Sequence, residues 1–140
     1  MSEKFKIMAQ FIKDMSSETP DAVTYLYVKE YLKNYNLDID ITTNPLKNRM
    51  IEVNTKLSYS DKGKSKNKSY FEITYTSIVK INEEIKDRKI IEKIILCDVQ
   101  KEIYPSLEKV FLNLLSNSGF PGIKFEKKVD FEQLYNQRLN

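Results

Sequence analysis

Histidine is absent from the chain, which removes the commonest general base and the commonest zinc ligand. A single cysteine, Cys97, excludes an internal disulfide, a CxxC pair and a thiolate metal cluster. Glycine is scarce. Gly63, Gly119 and Gly122 form neither a P-loop nor a GxGxxG turn, so the phosphate-cradling nucleotide folds are excluded. Long hydrophobic runs are missing too. The longest, Ile94-Ile95-Leu96-Cys97, is far short of the roughly 18 residues of a membrane helix. The N-terminal stretch is interrupted by Glu3, Lys4 and Lys6 before any signal-length apolar segment, so the chain is expected to be cytoplasmic, with no membrane insertion. Neighbouring carboxylates, Glu83-Glu84 and Asp38/Asp40, read as solvated charge rather than as an acid–base site. No catalytic residue, metal ligand or cofactor is predicted, and binding without covalent chemistry is the expectation.

What is present fits one domain, 1–140. The 140 residues are 41% hydrophobic, enough for a core, and 31% charged. The net charge is +3, from 23 basic and 20 acidic residues. The one concentrated basic run is Asp61-Lys62-Gly63-Lys64-Ser65-Lys66-Asn67-Lys68-Ser69. It lacks arginine and interleaved aromatics, so it reads as a solvated hairpin tip and not as a nucleic-acid contact.

Alternation of apolar and polar residues predicts four strands at roughly 4–15, 34–43, 49–60 and 68–81. In the first, Phe5, Ile7, Ala9 and Phe11 are expected on one face, with Lys6, Gln10 and Asp14 mostly on the other. Asn44-Pro45 and the Gly63 loop supply turns, and the strands read as an antiparallel meander after a long first connection. That connection, Ser16–Asn34, carries Val23, Tyr25, Leu26, Tyr27, Tyr31 and Leu32, so it must pack on the sheet or line a groove. Helical spacing then predicts helices at roughly 86–101, 104–118 and 130–139, with a break or kink at Pro105 and a stop at Gly119. Asp130 is placed to cap the last helix, whose stripe is Phe131, Leu134, Tyr135 and Leu139. The fold class is α+β: a four-stranded antiparallel sheet followed by helices on one face. Cys97 is expected to be an inert small hydrophobe.

Apolar residues exceed what one small chain can hide. Leu112 and Leu115 widen the Leu107/Val110/Phe111/Leu114 stripe, which implies an oligomer. Aromatics such as Tyr25, Tyr27 and Tyr31 crowd the first connection and suggest a surface for extended apolar polypeptide.

Several segments resemble the SecB protein-export chaperones. Phe11-Ile12-Lys13-Asp14-Met15-Ser16-Ser17-Glu18-Thr19-Pro20 is similar to the family's opening motif, and Leu37-Asp38-Ile39-Asp40 to its second strand. Ile103-Tyr104-Pro105 through Ser116, Gly119-Phe120-Pro121, and Val129-Asp130-Phe131-Glu132-Gln133-Leu134-Tyr135 resemble its helix, turn and closing helix. The resemblance runs in order along nearly the whole chain. It implies an ATP-independent holdase for unfolded preproteins, a homotetramer built as a dimer of dimers, and hand-over to the export motor SecA. It further implies a client groove with Phe11, Tyr31 and Phe120, a SecA-type face with Asp14, Glu18, Tyr70 and Glu72, and an oligomer interface with Phe71, Ile73 and Tyr75.

The chain departs from the family in charge, with a pI of 8.8 where typical members are acidic, and is expected to lack an acidic tail. These departures bear on the SecA partnership rather than the fold. Some SecB-like proteins guard an antitoxin instead, and that alternative stays open beside an oligomeric protein-binding scaffold.

Overall fold

The computed structural model describes residues 3–125 and 128–138. It contains four strands, β1 (Phe5–Glu18), β2 (Asn36–Pro45), β3 (Met50–Ser60) and β4 (Tyr70–Ile81). Its α-helices are α1 (Ala22–Tyr31), α2 (Arg88–Lys93), α3 (Val99–Asn117) and α4 (Phe131–Arg138). Leu139, expected in the last apolar stripe, lies outside the described residues.

All neighbours in the sheet are antiparallel and the order is β1-β4-β3-β2. The meander is therefore confined to β2–β4. The first connection carries the chain across the sheet, so β1 docks beside β4 in Greek-key order and β1 and β2 form the two edges. The connection folds as α1 and a 3₁₀ turn, Leu32–Asn34. Asp21 caps α1 by accepting from the Thr24 backbone N–H at 2.7 Å. Thr24 and Val28 are buried, and the Tyr25 hydroxyl donates to the Gly119 carbonyl at 2.7 Å.

Gly119 ends α3 as the spacing predicts. Its φ is +100°, and the Phe120 N–H donates to the Leu115 carbonyl at 3.0 Å while its own N–H donates to Ser116 at 3.1 Å, a Schellman closure. A Cβ here would sit 2.6 Å from the Tyr25 ring, so both backbone conformation and packing demand glycine.

The expected break at Pro105 is absent, and Pro105 lies inside α3. The helical run instead adjusts before it, in a π-turn over Ile94–Asp98 joining α2 to α3. A buried glutamine supports this turn: Gln100 Nε2 donates to the Ile95 carbonyl at 3.3 Å, and Gln100 Oε1 accepts from Thr55 Oγ1 at 2.9 Å. The sheet thereby holds the irregular turn through a side chain that leaves no buried polar atom on Gln100 or Thr55 unpaired.

One face of the sheet is covered. Leu57, Tyr59, Phe71 and Ile73 pack under Leu107, Phe111 and Leu115 of α3, and Val53, Val79 and Ile81 pack under Ile94, Ile95, Val99 and Ile103. Phe71 and Ile73, expected at a subunit interface, are 2% and 0% exposed inside the chain's own core. They alternate onto the face that the chain's own helices occupy. Tyr75 is half-buried and its hydroxyl donates to Gln10 Oε1 at 3.1 Å. Cys97 is buried as expected, and burial pushes its thiol pKa up.

Candidate functional site: two sheet edges and an open face

The edge strand β2 pairs only with β3, so its outer backbone groups have no strand partner. Beside this edge, α2 and the π-turn leave a groove of about 500 Å³ lined by Ile41, Pro45, Ile51, Ile91 and Leu96. A second cavity of about 340 Å³ adjoins it, lined by Ile39, Leu134 and Tyr135. Ile41 and Leu96 belong to both, so the two join into one mainly apolar trough along β2, whose lining also includes Asp40, Arg88, Glu92 and Gln137. The trough follows from β2's alternation: Leu37, Ile39 and Ile41 face the helices, while Asp38 and Asp40 face away.

The opposite edge, β1, is less regular. Its register against β4 slips between Ile7 and Ala9 and again between Ile12 and Asp14. Each bulge turns the following side chains to the other face. Phe5 and Ile7 therefore face the helices opposite Ile81 and Val79, whereas Ala9 and Phe11 lie on the open face opposite Ile78 and Thr76. The expected single face for Phe5, Ile7, Ala9 and Phe11 is corrected on this point. Met8, Phe11, Ile12 and Met15 are 43–48% exposed along this edge.

The uncovered sheet face is polar and cross-linked. Glu52 accepts from Lys13 Nζ at 3.2 Å, Asn44 Nδ2 at 3.1 Å and Asn54 Nδ2 at 2.9 Å. Those bonds, Asn54's first, hold the Glu52 carboxyl below its ordinary pKa. Thr76, wholly buried, donates to Asn54 Oδ1 at 2.7 Å. Glu72 pairs with Lys56 at 2.8 Å, and that bond raises the lysine pKa.

The structure gathers one predicted set and scatters another. Asp14, Glu18, Tyr70 and Glu72 share the open face: Glu18 lies opposite Tyr70, Ser16 opposite Glu72 and Asp14 opposite Thr74. The predicted groove residues separate. Phe11 is on β1, while Tyr31 ends α1 and stacks on Tyr27 with ring centroids 4.5 Å apart. Phe120 is 3% exposed, wedged between Tyr25 and Phe71 at 5.1 and 5.6 Å. It fills the core beneath the α3 stop. Sequence alone does not mark the trough residues Ile39, Ile41, Leu96 and Leu134 as binding residues. Their apolar pattern was visible, but it marks a buried face and does not reveal that β2 ends the sheet.

The lysine-rich hairpin folds partly back on the chain. Lys62 pairs with Asp38 at 3.0 Å, and Lys68 Nζ donates to the Gly63 carbonyl at 2.5 Å. No cluster of three or more acidic or cysteine side chains suited to a metal ion occurs among the described residues. No helix among them is long and apolar enough to cross a membrane.

Comparison with known proteins gives these features a context. The family model "Preprotein translocase subunit SecB" matches residues 1–140. A candidate protein-export protein SecB of Pelagibacter ubique is 59% identical over the whole of both chains. The protein-export protein SecB of Xanthobacter autotrophicus is 25% identical over 95% of this chain and 83% of its own. Among solved structures, the Mycobacterium tuberculosis Rv1957 SecB-like chaperone, in complex with a ChAD peptide from the Rv1956 HigA1 antitoxin, has a similar fold. Its TM-score is 0.66 at 10% identity, covering 90% of this chain and 88% of that one.

Proposed function

Because the chain belongs to the SecB family, we propose that it is an ATP-independent holdase that keeps preproteins extended until an export partner takes them. The observation that carries this reading is the trough along β2. An unpaired strand edge offers backbone hydrogen bonds to any extended segment, whatever its sequence. The apolar lining beside it rewards every second client side chain at about 25 cal/mol per Å² buried. Neither element selects a sequence, which suits a protein that must hold many clients. Release falls to a partner that competes for the client, since no nucleotide-cradling loop is present to drive it.

The client surface assigned here is Ile39, Ile41, Leu96 and Leu134, with Phe11 and Tyr31 as outlying contacts. The open-face set Asp14, Glu18, Tyr70 and Glu72 is the proposed docking surface for SecA, because three carboxylates and one exposed aromatic share one end of that face. The exposed side chains of β1 are the proposed contacts with other copies in a tetramer.

The test is suppression of aggregation of a chemically denatured protein on dilution. The chain is expected to slow it at one assembly per client, without ATP. Unchanged aggregation at that ratio would sink the reading. A second reading, service to a dedicated antitoxin, is favoured by the peptide bound to the Mycobacterium tuberculosis relative in fold and by this chain's basic charge. Co-purification from the native host separates the two: SecA with preproteins supports export, and one recurrent antitoxin supports the other.

A further inference from the structure

The tip of the β3–β4 hairpin, residues 61–69, carries four lysines against one acid, Asp61, and so a charge of +3. That is the net charge of the whole chain. Of its 23 basic and 20 acidic residues, the four and the one in the tip leave nineteen of each elsewhere. The chain is therefore balanced in charge except at this one turn. Lysines often guard an exposed strand edge against pairing with other chains. That purpose does not apply here, because β3 and β4 are the two central strands, with β2 and β1 outside them.

The tip has a built shape. At its foot Ser69 is fully buried, its N–H donates to the Tyr35 hydroxyl at 2.9 Å, and its hydroxyl shares a hydrogen bond with that of Thr19 at 2.7 Å. Further out, Asp61 Oδ1 accepts from the Gly63 N–H at 2.8 Å and Ser65 Oγ accepts from the Asn67 N–H at 3.1 Å. Lys68 crosses the loop to the Gly63 carbonyl, and Lys62 leans on Asp38. Lys64 and Lys66 are exposed, and among the described residues neither makes an ion pair. Crowding four like charges into so short a turn costs repulsion that no carboxylate beside Lys64 or Lys66 offsets. A loop already held in shape also spends little ordering entropy when a partner arrives.

An anionic partner would relieve that repulsion, and the side chains present choose its kind. Nucleic acids are gripped by arginine forks and by aromatic rings stacked on bases, and the tip contains neither. Lipid headgroups offer phosphates that move within a plane. A hydrated ammonium on a flexible stem meets such a phosphate without fixed geometry. Tyr70, 54% exposed beside the tip, adds a ring with a polar end, the side-chain type that settles at headgroup level.

We infer that the hairpin tip is a docking surface for anionic phospholipid headgroups, on which the chain rests reversibly without inserting. Each lysine near such a surface is worth about fivefold in partitioning, so the contact is weak singly and useful in sum. The inference goes beyond the holdase reading and does not depend on it, since it concerns where the chain sits and not what it holds.

The experiment is co-flotation of the full chain with vesicles of phosphatidylcholine, with and without phosphatidylglycerol. The parent is expected to float only with the phosphatidylglycerol vesicles, and to be released as salt rises. Lys64→Ser with Lys66→Ser should bind them about twentyfold more weakly at an unchanged melting temperature, because neither ammonium has a partner to lose. Lys86→Ser with Lys89→Ser removes the same charge from the connection after β4, at the other end of the sheet, and should bind like the parent. Equal binding to both vesicle types overturns the inference. Equal loss in the two double variants overturns it as well, by making net charge alone responsible. Tighter binding of the parent to a single-stranded RNA than to the vesicles at the same salt overturns it in favour of nucleic acid. A parent that floats but fails to slow aggregation fails the holdase reading alone, and one that slows aggregation but never floats loses only this docking surface.

Discussion

Along β2 the ladder to β3 runs without a bulge from Asn36 opposite Ser60 to Pro45 opposite Ile51, whereas β1 slips register twice against β4. Both are edge strands of one sheet, yet they offer different things. The regular edge keeps its outer N–H and C=O groups evenly spaced, and the trough beside it is built from the chain's own helices. It suits a strand added from outside. The bulged edge twists, breaks the spacing of its backbone groups and discourages strand addition. It exposes side chains instead: Met8, Phe11, Ile12 and Met15. Main-chain binding tolerates any client and side-chain packing selects one shape, so the proposed function assigns clients to the regular edge and sister copies to the bulged one. Within one small sheet, the presence or absence of a bulge decides whether an edge offers evenly spaced backbone groups or its side chains.

The largest effect is expected where the two edges share support. Phe71 is wedged between Tyr59 and Phe120 in the core, so Phe71→Ala should cost about 3–5 kcal/mol of stability and weaken both edges together. Denaturant midpoints at two protein concentrations test its placement. A cost confined to the chain's own core leaves the midpoint shift independent of concentration, and a cost that disappears on dilution would return Phe71 to a subunit interface.

Separating the edges should give the next largest effect. Ile41 links the two halves of the trough, and Ile41→Asp is expected to weaken binding of an unfolded client about tenfold while leaving assembly mass unchanged. Met8→Lys with Met15→Lys should do the reverse, lowering the mass seen by light scattering and sparing client affinity per chain. If either variant produced the other's phenotype, the division of labour between the edges would be wrong.

The smallest effect concerns the strap that ties β1 to the rest of the open face. Lys13 on β1 reaches Glu52 on β3, and this bond with those from Asn54 and Asn44 keeps the Glu52 pKa below its unfolded value. A depressed carboxylate pKa means stability that is present above the unfolded value and lost as pH falls through the folded one. Glu52→Gln should therefore lower the melting temperature slightly at neutrality and flatten its fall on acidification below about pH 4.3, the ordinary glutamate value, so that variant and parent converge in acid. An unchanged acid slope would show that Glu52 holds nothing in place.

Much of this was legible in the residues. Alternation marks β2, β3 and β4 and predicts which side chains share a face, because the side-chain period of a strand is independent of its neighbours. Alternation puts Tyr70 and Glu72 on one face, whereas their grouping with Asp14 and Glu18 comes from the family resemblance. The Gly119 stop was readable, as was the Asp130 cap, which accepts from the Gln133 N–H at 3.0 Å. Other features left no local trace. Met8 is apolar and neighbours Ile7 and Ala9, so a bulge there disturbs no pattern. Pro105 reads as a helix breaker, yet tertiary packing carries α3 through it. Phe120 reads as an exposed loop aromatic until the Schellman turn folds it inward.

The sequence by itself determined the family resemblance and the sidedness of the elements: four alternating strands and broad apolar helices. Only the tertiary structure decided which strands end the sheet, where the bulges fall and which apolar residues stay uncovered. The physical reason is one of range. Propensity, capping and alternation act between residues a few places apart, whereas an edge or a groove exists only because distant segments have packed, and pairing energies spread over the whole chain choose among arrangements that look alike locally.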